Sequence, residues 1–545
     1  MTDQPQGRLE LTWANKGMRL LAHADETYEW VEPQDWRVAE TRLLRETGVV
    51  GEPSDNLLVT GDALHFLRAV TRIPEMRDRY QGQVRLCYID PPFNTGQAFA
   101  HYDDALENSV WLTMLRDRLV QIRELLAPDG SVWVHLDDAQ QHRARMVLDE
   151  AMGPENFVAT VVWQKIHARN NSAQHFSSDH DFIHVYARSL ARFRVNRVDR
   201  TEASDADFWN PDNDPRGDWR RSDLTASKPY ADGHYEVTGP HGDTFSPRQG
   251  RTWGVSAATF EALQADNRLW WGRTGRTFPF RKRFRSELGG LVPTTVWVNE
   301  EVGNNREAKQ EITRLFGRNA IFATPKPERL IRQVLSIGTD PGDLVLDCFA
   351  GSGTTAAVAH KMGRCWITSE LLADTVEQFA KPRLERVVAG TDRGGITRAV
   401  GWTGGGGFTT AEVAPSMFED AGGVVVLAEW ATGGALAEAV AAQVGYRVET
   451  DPPFCGRRGR SRLAVIDGVL SEDVARLLVQ RLDEHETLLV VAQAIEAGVA
   501  DLVRDLRPGS RARKVPRDLA HVSRTTGPIV TLAATEPTGQ TRMPL

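Results

Sequence analysis

Asp90-Pro91-Pro92-Phe93 is the stretch of this chain best suited to chemistry, and it follows the apolar run Val84 to Ile89. An exocyclic amine on an aromatic base is a poor nucleophile because its lone pair is conjugated with the ring. The Asp90 carboxylate and the Pro91 carbonyl can each accept one N–H bond from such an amine. Those bonds draw the nitrogen toward tetrahedral geometry and free the lone pair to attack a methyl donor. Prolines fix φ and hold the acceptors still, and Phe93 offers a face for a flipped-out base to stack on. Asp90, Pro91, Pro92 and Phe93 are therefore the expected catalytic residues. An isolated tetrad of this kind reads more readily as a rigid turn closing a strand. Asp451-Pro452-Pro453-Phe454 repeats it, but after a segment broken up by Arg447 and Glu449, so the second copy is expected to be structural.

The second chemical signal is Asp347-Cys348-Phe349-Ala350-Gly351-Ser352-Gly353-Thr354-Thr355, between an apolar strand and a helix. Glycines at such a turn let the backbone approach a ligand closely. Glu370 lies 19 residues beyond Gly351, at the end of the next strand. An acid there can accept hydrogen bonds from the two ribose hydroxyls of a nucleoside cofactor. The third glycine of a dinucleotide loop is absent and Phe349 stands in the turn, which disfavours a dinucleotide. A turn with no ligand is the alternative.

The elements that must position these loops alternate. Asn56 to Thr60, Val84 to Ile89, Ser131 to Leu136, Leu344 to Asp347 and Cys365 to Thr368 read as strands. Ala63 to Thr71, Trp111 to Leu126, Ala139 to Met152, Glu328 to Ser336 and Thr354 to Met362 read as helices. A turn is expected at Pro128-Asp129-Gly130. Such alternation implies an α/β class with a mostly parallel sheet. The rhythm breaks at 161–320, which is rich in Gly, Pro and Arg and holds seven of the 15 tryptophans, as an inserted domain would. Residues 160–320 carry 24 Lys and Arg against 20 Asp and Glu, inside a chain of net charge −8. Arg268 to Arg285 holds seven basic residues and no acid, interleaved with Trp270, Trp271, Phe278, Phe280 and Phe284. Arg281, Lys282, Arg283 and Arg285 are the expected DNA contacts; a solvated basic rim around a small core is the alternative. The expected domains are an N-terminal arm (1–50), a catalytic domain (51–160 and 321–400), the insert (161–320) and a C-terminal α/β domain (410–545).

The order of the two loops resembles that of the β-class DNA amino-methyltransferases, in which the catalytic tetrad precedes the glycine loop and a target-recognition domain lies between. The resemblance runs from about Asn56 to Gly407. It is closest to the modification subunits of type III restriction–modification systems and to similar stand-alone adenine methyltransferases. It is carried by Tyr88-Ile89-Asp90-Pro91-Pro92-Phe93-Asn94-Thr95-Gly96, Tyr102-Asp103-Asp104, Val162-Trp163-Gln164-Lys165, Asn213-Asp214-Pro215-Arg216-Gly217, Arg281-Lys282-Arg283-Phe284, Glu300-Glu301-Val302-Gly303 and Thr324-Pro325-Lys326-Pro327. It implies a Rossmann-like methyltransferase fold with a permuted, mostly parallel seven-stranded sheet. The implied cofactor is S-adenosyl-L-methionine, held by Asp347, Phe349, Gly351, Gly353 and Glu370. Asp62 would approach the cofactor adenine, and Thr324, Lys326 and Pro327 would flank its methionine moiety. Phe93 departs from the usual tyrosine and keeps the stacking face. The implied activity is site-specific transfer to N6 of adenine in double-stranded DNA. Cytosine N4 is the alternative, less suited to Asp90 because that subclass more often carries Ser there. A non-catalytic DNA-recognition subunit is a second alternative, for which the intact tetrad, glycine loop and Glu370 would be needless.

Bulk properties exclude other classes. Hydrophobic residues make up 41% and charged residues 25%, a globular balance. No apolar run approaches a membrane span, and the first residues show no secretion signal. Cys87, Cys348, Cys365 and Cys455 lack paired metal-ligand spacing, so reduced thiols and no metal are expected. The expected setting is a prokaryotic cytoplasm, at the nucleoid. No G-x-x-x-x-G-K-[ST] loop occurs, so restriction would need a separate helicase–nuclease subunit; a homodimer is the other expected assembly.

Overall fold

The computed structural model describes residues 11–22, 28–92, 98–99, 102–103, 107–168, 173–200, 202–228, 232–320, 322–520 and 526–530. Its centre is a mixed sheet of ten strands: β1 (Leu44–Gly51), β2 (Leu57–Thr60), β3 (Val84–Ile89), β4 (Leu126–Leu136), β5 (Phe157–Gln164), β6 (His180–Ala187), β7 (Val296–Trp297), β8 (Leu344–Asp347), β9 (Cys365–Glu370) and β10 (Gly407–Val413). Their spatial order is β7-β5-β6-β4-β3-β8-β9-β2-β10-β1. The middle six, β4 to β10 in that order, run parallel. Parallel strands are covered on both faces and read as continuous apolar runs, and β3 (VRLCYI) buries five of its six residues. Ten strands replace the expected seven because segments read as other things join the edges. β1, placed in the arm, pairs antiparallel with β10. β6 and β7, placed in the insert, pair with β4 and β5.

Helices pack on the sheet: α1 (Ala63–Arg72), α2 (Asn108–Leu125), α3 (Gln141–Met152), α4 (Glu328–Gly338), α5 (Thr354–Lys361) and α6 (Lys381–Val388). α1 starts where Asp62 accepts from the Leu64 amide at 2.6 Å, an N-cap. The permutation is visible in the order of strands. β8 and β9, from the C-terminal half, lie between β3 and β2, from the N-terminal half. Both chemical loops therefore leave the same edge of neighbouring strands.

The turn at Pro128-Asp129-Gly130 falls inside β4 as a bulge. The β3–β4 register jumps from Val84↔Leu126 to Leu86↔Ser131 there. A Cβ on Gly130 would lie 2.6 Å from the Val84 carbonyl oxygen, which is why the bulge needs glycine.

The glycine run leads into β10, which pairs with β2 and β1, so the catalytic sheet extends past residue 400 into the segment expected to begin the C-terminal domain. Beyond it, a second sheet runs Arg447–Asp451, Phe454–Arg458, Ser461–Leu470, Thr487–Ile495, Arg511–Lys514, the last three parallel. The segment read as an arm stitches this tail to the catalytic sheet. The Thr41 amide donates to Gln443 Oε1 at 2.7 Å, the Met417 amide donates to Glu40 Oε1 at 2.8 Å, and Trp36 meets Phe418 edge-on at 5.8 Å. The insert forms a separate compact unit over Val195–Pro293, narrower than 161–320 because β5, β6 and β7 belong to the large sheet. Its core packs Leu224, Trp253, Phe260, Leu269 and Trp271. Among the described residues no helix is long and apolar enough to cross a membrane.

Gly130→Ala should therefore lower the melting temperature, by an overpacking cost of about 1–3 kcal/mol. Gly434→Ala, in the open first turn of the helix Gly433–Val444, should not. Equal melting temperatures for Gly130→Ala and wild type would mean that the close approach is not constraining.

Candidate active site and nucleic-acid interface

Four carboxylates collect at the carboxyl ends of four adjacent parallel strands: Asp90 after β3, Asp347 on β8, Glu370 on β9 and Asp62 after β2. Asp90 Oδ2 is ion-paired with Lys326, 236 residues away in sequence. Its Oδ1 is buried and, among the described residues, has no hydrogen-bond partner. Pro91 is buried and Pro92 half-buried. The Pro92 carbonyl accepts from Trp111 Nε1 of α2 at 2.6 Å, which anchors the loop. Phe93, and with it Asn94, Thr95, Gly96 and Asp104, lie outside the described residues.

Asp347 caps its own turn, accepting from the Phe349 amide at 3.0 Å. Burial pushes its carboxyl up to about 7, and the neighbouring charges of Asp90 and Glu370 add to the shift. Gly351 and Gly353 have φ of 51° and 74°, a region that favours glycine. A Cβ on Gly351 would meet the Phe322 ring at 3.2 Å, and one on Gly353 would meet the Ala380 backbone at 3.2 Å. Glu370 reaches back across this loop. Its Oε2 accepts from the Gly351 amide at 2.9 Å and its Oε1 from the Leu372 amide at 3.2 Å. Burial raises its carboxyl above the ordinary range. Asp62 is also pushed up by burial, but Arg118, His65 and the Leu64 amide outweigh that and hold it below the usual value. Arg118 donates to both Asp62 oxygens, at 3.1 and 2.9 Å.

Thr324 and Phe349 are half-buried, and Pro327 is buried as the N-cap of α4. The Lys326 ammonium faces the Asp90 carboxylate. Nothing local in the sequence marks that pairing. Reading the sequence also missed the buried ionic group under the glycine loop. Arg383 donates to Thr354 Oγ1 at 2.7 Å and to Glu328 Oε1 at 2.8 Å, and Lys361 holds both Glu328 oxygens at 2.8 Å. The available signal was three charges (Glu328, Lys361, Arg383) on helix faces that are otherwise apolar.

In the insert, Trp219–Ser222 pairs antiparallel with Phe280–Phe284. Alternation splits the basic run. Lys282 is a correction to the expected DNA contacts: it is buried, ion-paired with Asp212 and with Asp214 at 3.0 Å, and shares a face with buried Trp219 and Phe284. Hydrogen bonds from Arg216 and Lys282 hold Asp214 well below the carboxylate range despite its burial. Arg285 is exposed but pairs with Asp205 at 2.9 Å. Arg281 and Arg283 lie on the other face with Arg220, which sits directly opposite Arg283. Among the described residues none of these three arginines pairs with a carboxylate. The duplicate Asp451 is exposed in an antiparallel hairpin and ion-pairs with Arg462, so it does not follow a parallel strand as Asp90 does.

The raised Asp347 carboxyl gives a signed pH dependence. Its folded value near 7 exceeds the unfolded value of about 4. The folded state then binds more protons between those values, so the stability due to this group is complete below about pH 4 and is lost as pH rises to about 7. Asp347→Asn should gain on wild type across that window by up to about 1.4 kcal/mol per pH unit. Parallel melting-temperature curves for the two proteins from pH 4.5 to 7.5 would refute the shift.

The sequence profile of the family described as DNA methylase (N6_N4_Mtase) matches residues 84–381. The StyLTI Mod subunit, a type III restriction–modification enzyme of Salmonella typhimurium, is 31% identical over 386 residues, 62% of this chain and 57% of its own length. The probable type III HindVI Mod subunit of Haemophilus influenzae is 29% identical over 429 residues, 67% of this chain and 55% of its own. A solved PvuII DNA methyltransferase (cytosine-N4-specific) aligns over 62% of this chain and 89% of its own at 15% identity, with a TM-score of 0.35. The chain thus spans about half the length of the curated relatives it matches. The matched region includes β3 with its Asp90 loop, the insert, β8 with its glycine loop and β9 with Glu370, more than half of all residues, and the chain belongs to the DNA methylase family.

Proposed function

We propose that this chain is a site-specific DNA methyltransferase that uses S-adenosyl-L-methionine to methylate N6 of adenine in double-stranded DNA, within a restriction–modification system. The observation that carries the reading is Asp90 Oδ1: a buried carboxylate oxygen with no hydrogen-bond partner among the described residues, held at a strand end beside the glycine loop. A buried acceptor left unpaired is costly, and an exocyclic N–H satisfies it. Lys326 occupies Oδ2, so Oδ1 is left to accept from the amine while the Pro91 carbonyl takes the second N–H. Asp90 is also the base placed to receive the amine proton.

The donor set fits the cofactor. The charges of Asp90 and Glu370 add to the burial that raises the Asp347 carboxyl, and a hydroxyl-rich ligand that carries a positive charge relieves that repulsion. When bound, S-adenosyl-L-methionine supplies a methyl group on a sulfonium. Glu370 and Asp62 would hold its nucleoside end, Gly351 and Gly353 would let the backbone close on it, and Thr324 and Pro327 would flank its methionine end. The relatives named as type III Mod subunits support a restriction–modification setting. Duplex DNA, a second copy of the chain and a separate restriction subunit are the partners this reading assigns, in a prokaryotic cytoplasm at the nucleoid.

Incubation with labelled S-adenosyl-L-methionine and duplex DNA, followed by nucleoside analysis, tests the proposal. N6-methyladenine is the expected product, and N4-methylcytosine or no labelled base overturns it. Asp90→Ala should lose turnover by about 100-fold or more with cofactor affinity retained. Wild-type turnover in Asp90→Ala, or loss in Asp451→Ala instead, would assign the chemistry to the wrong tetrad.

The basic face gives a second test. Replacing Arg220, Arg281 and Arg283 with alanine should reduce the slope of log affinity against log salt by roughly 2.7, about 0.9 for each phosphate that is no longer neutralised. Lys282→Ala should instead lower the melting temperature, because Asp212 and Asp214 lose their buried cation. An unchanged slope in the triple variant refutes phosphate binding by that face.

A further inference from the structure

Beside the Asp90 loop runs a buried chain of polar groups that no step above uses. Tyr88 Oη donates to His135 Nδ1 at 2.7 Å, His135 Nε2 donates to Asp181 Oδ2 at 3.2 Å, and Lys165 Nζ donates to Asp181 Oδ1 at 2.6 Å. The partners fix the tautomer: a carboxylate only accepts, so Nε2 carries the proton and Nδ1 is left for the phenol. Tyr88, His135 and Asp181 are all but inaccessible to solvent. The chain crosses three neighbouring strands, β3, β4 and β6. Register pairs Tyr88 with Trp133 and Ile89 with Val134, and its continuation sets His135 level with Asp90. Burial and the Lys326 ammonium keep the imidazole below the ordinary histidine range, so His135 adds no second cation beside the Asp90–Lys326 pair. Trp163 meets its ring edge-on at 5.4 Å.

Apolar side chains would bind these strands together at least as strongly, since buried polar groups stabilise little even when fully paired. Directional bonds differ in fixing where the strand ends stand to a few tenths of an ångström, and a misplacement of about 1 Å at a reacting group costs about 100-fold in rate. We infer that His135 is a positioning residue for methyl transfer: with Tyr88, Asp181 and Lys165 it holds the carboxyl end of β3 so that Asp90 meets the amine. The inference rests on the methyltransferase reading above.

The test compares wild type, His135→Leu, His135→Gln and Tyr88→Phe in kcat, KM for DNA, cofactor affinity by calorimetry and melting temperature. His135→Leu should lower kcat by about 100-fold, with KM and cofactor affinity within about twofold. Glutamine offers one acceptor and one donor, and should recover about tenfold of that loss. Tyr88→Phe removes a single hydroxyl and should lower kcat at an almost unchanged melting temperature. It decides the matter if His135→Leu fails to fold. Wild-type kcat in Tyr88→Phe, or no recovery in His135→Gln, overturns the positioning role. So does a loss shared equally by kcat and cofactor affinity, which marks general damage. An active wild type whose variants are equally active sinks this inference alone; a wild type without turnover sinks the methyltransferase reading and this inference together.

Discussion

Like charges at one sheet edge are the constraint on which the rest of this architecture depends. Asp90, Asp347, Glu370 and Asp62 end or follow four adjacent parallel strands, where burial removes much of the water that would screen them. Each is settled differently. Asp90 has Lys326, and Asp62 has Arg118 and a helix cap. Glu370 takes two backbone amides, and Asp347 moves toward neutrality. The N-termini of α1 and α5 direct partial positive charge at the same edge. The glycines of the loop follow from this: the backbone must turn through positive φ to bring the Gly351 amide onto Glu370.

The permuted strand order is what places these groups together. β8 and β9 enter between β3 and β2, so a loop near residue 90 and a loop near residue 350 become neighbours. The Asp90–Lys326 pair then links the two halves of the chain across 236 residues. Beneath it, Glu328 is held by Lys361 and Arg383. Buried pairs of this kind contribute little net stability but are strongly destabilising when one partner is removed. Their value here is in registering α4, α5 and α6 against one another beside the glycine loop that opens α5.

Much of this was legible in the sequence where burial is two-sided. Val84–Ile89 and Leu344–Asp347 form the strands that their apolar runs announced, and α1, α2, α4 and α5 lie within three residues of their periodic segments. The turn at Asp90-Pro91-Pro92 and the glycine loop were legible because turn chemistry is local. What failed was non-local. β1 (LRETGVVG) is an edge strand with a largely exposed face, so it carries no apolar signature. The Pro128-Asp129-Gly130 turn is absorbed by a bulge that only the partner strand requires. The Lys326–Asp90 pair and the Tyr88–His135–Asp181 chain join residues whose neighbours in sequence say nothing of each other.

The basic run of the insert shows why composition alone misassigns charge. Counted along the chain, Arg268 to Arg285 is seven cations without an acid. Counted in space, Lys282 is buried on Asp212 and Asp214, Arg285 is held by Asp205, Arg268 by Glu287 and Arg276 by Asp243. The acids come from elsewhere in the insert, so the run is half scaffold. Of the three left, strand alternation sets Arg281 and Arg283 on one face with Arg220, which the one-dimensional count never included, while Arg273 lies outside the strand. Arg220 directly opposite Arg283 is a like-charge cross-strand pair, an arrangement that disfavours the isolated sheet. A phosphate between the two arginines turns that repulsion into attraction. The sheet can carry the mismatch because its other face is fastened by Trp219 and Lys282 to Asp212 and by Lys282 to buried Asp214.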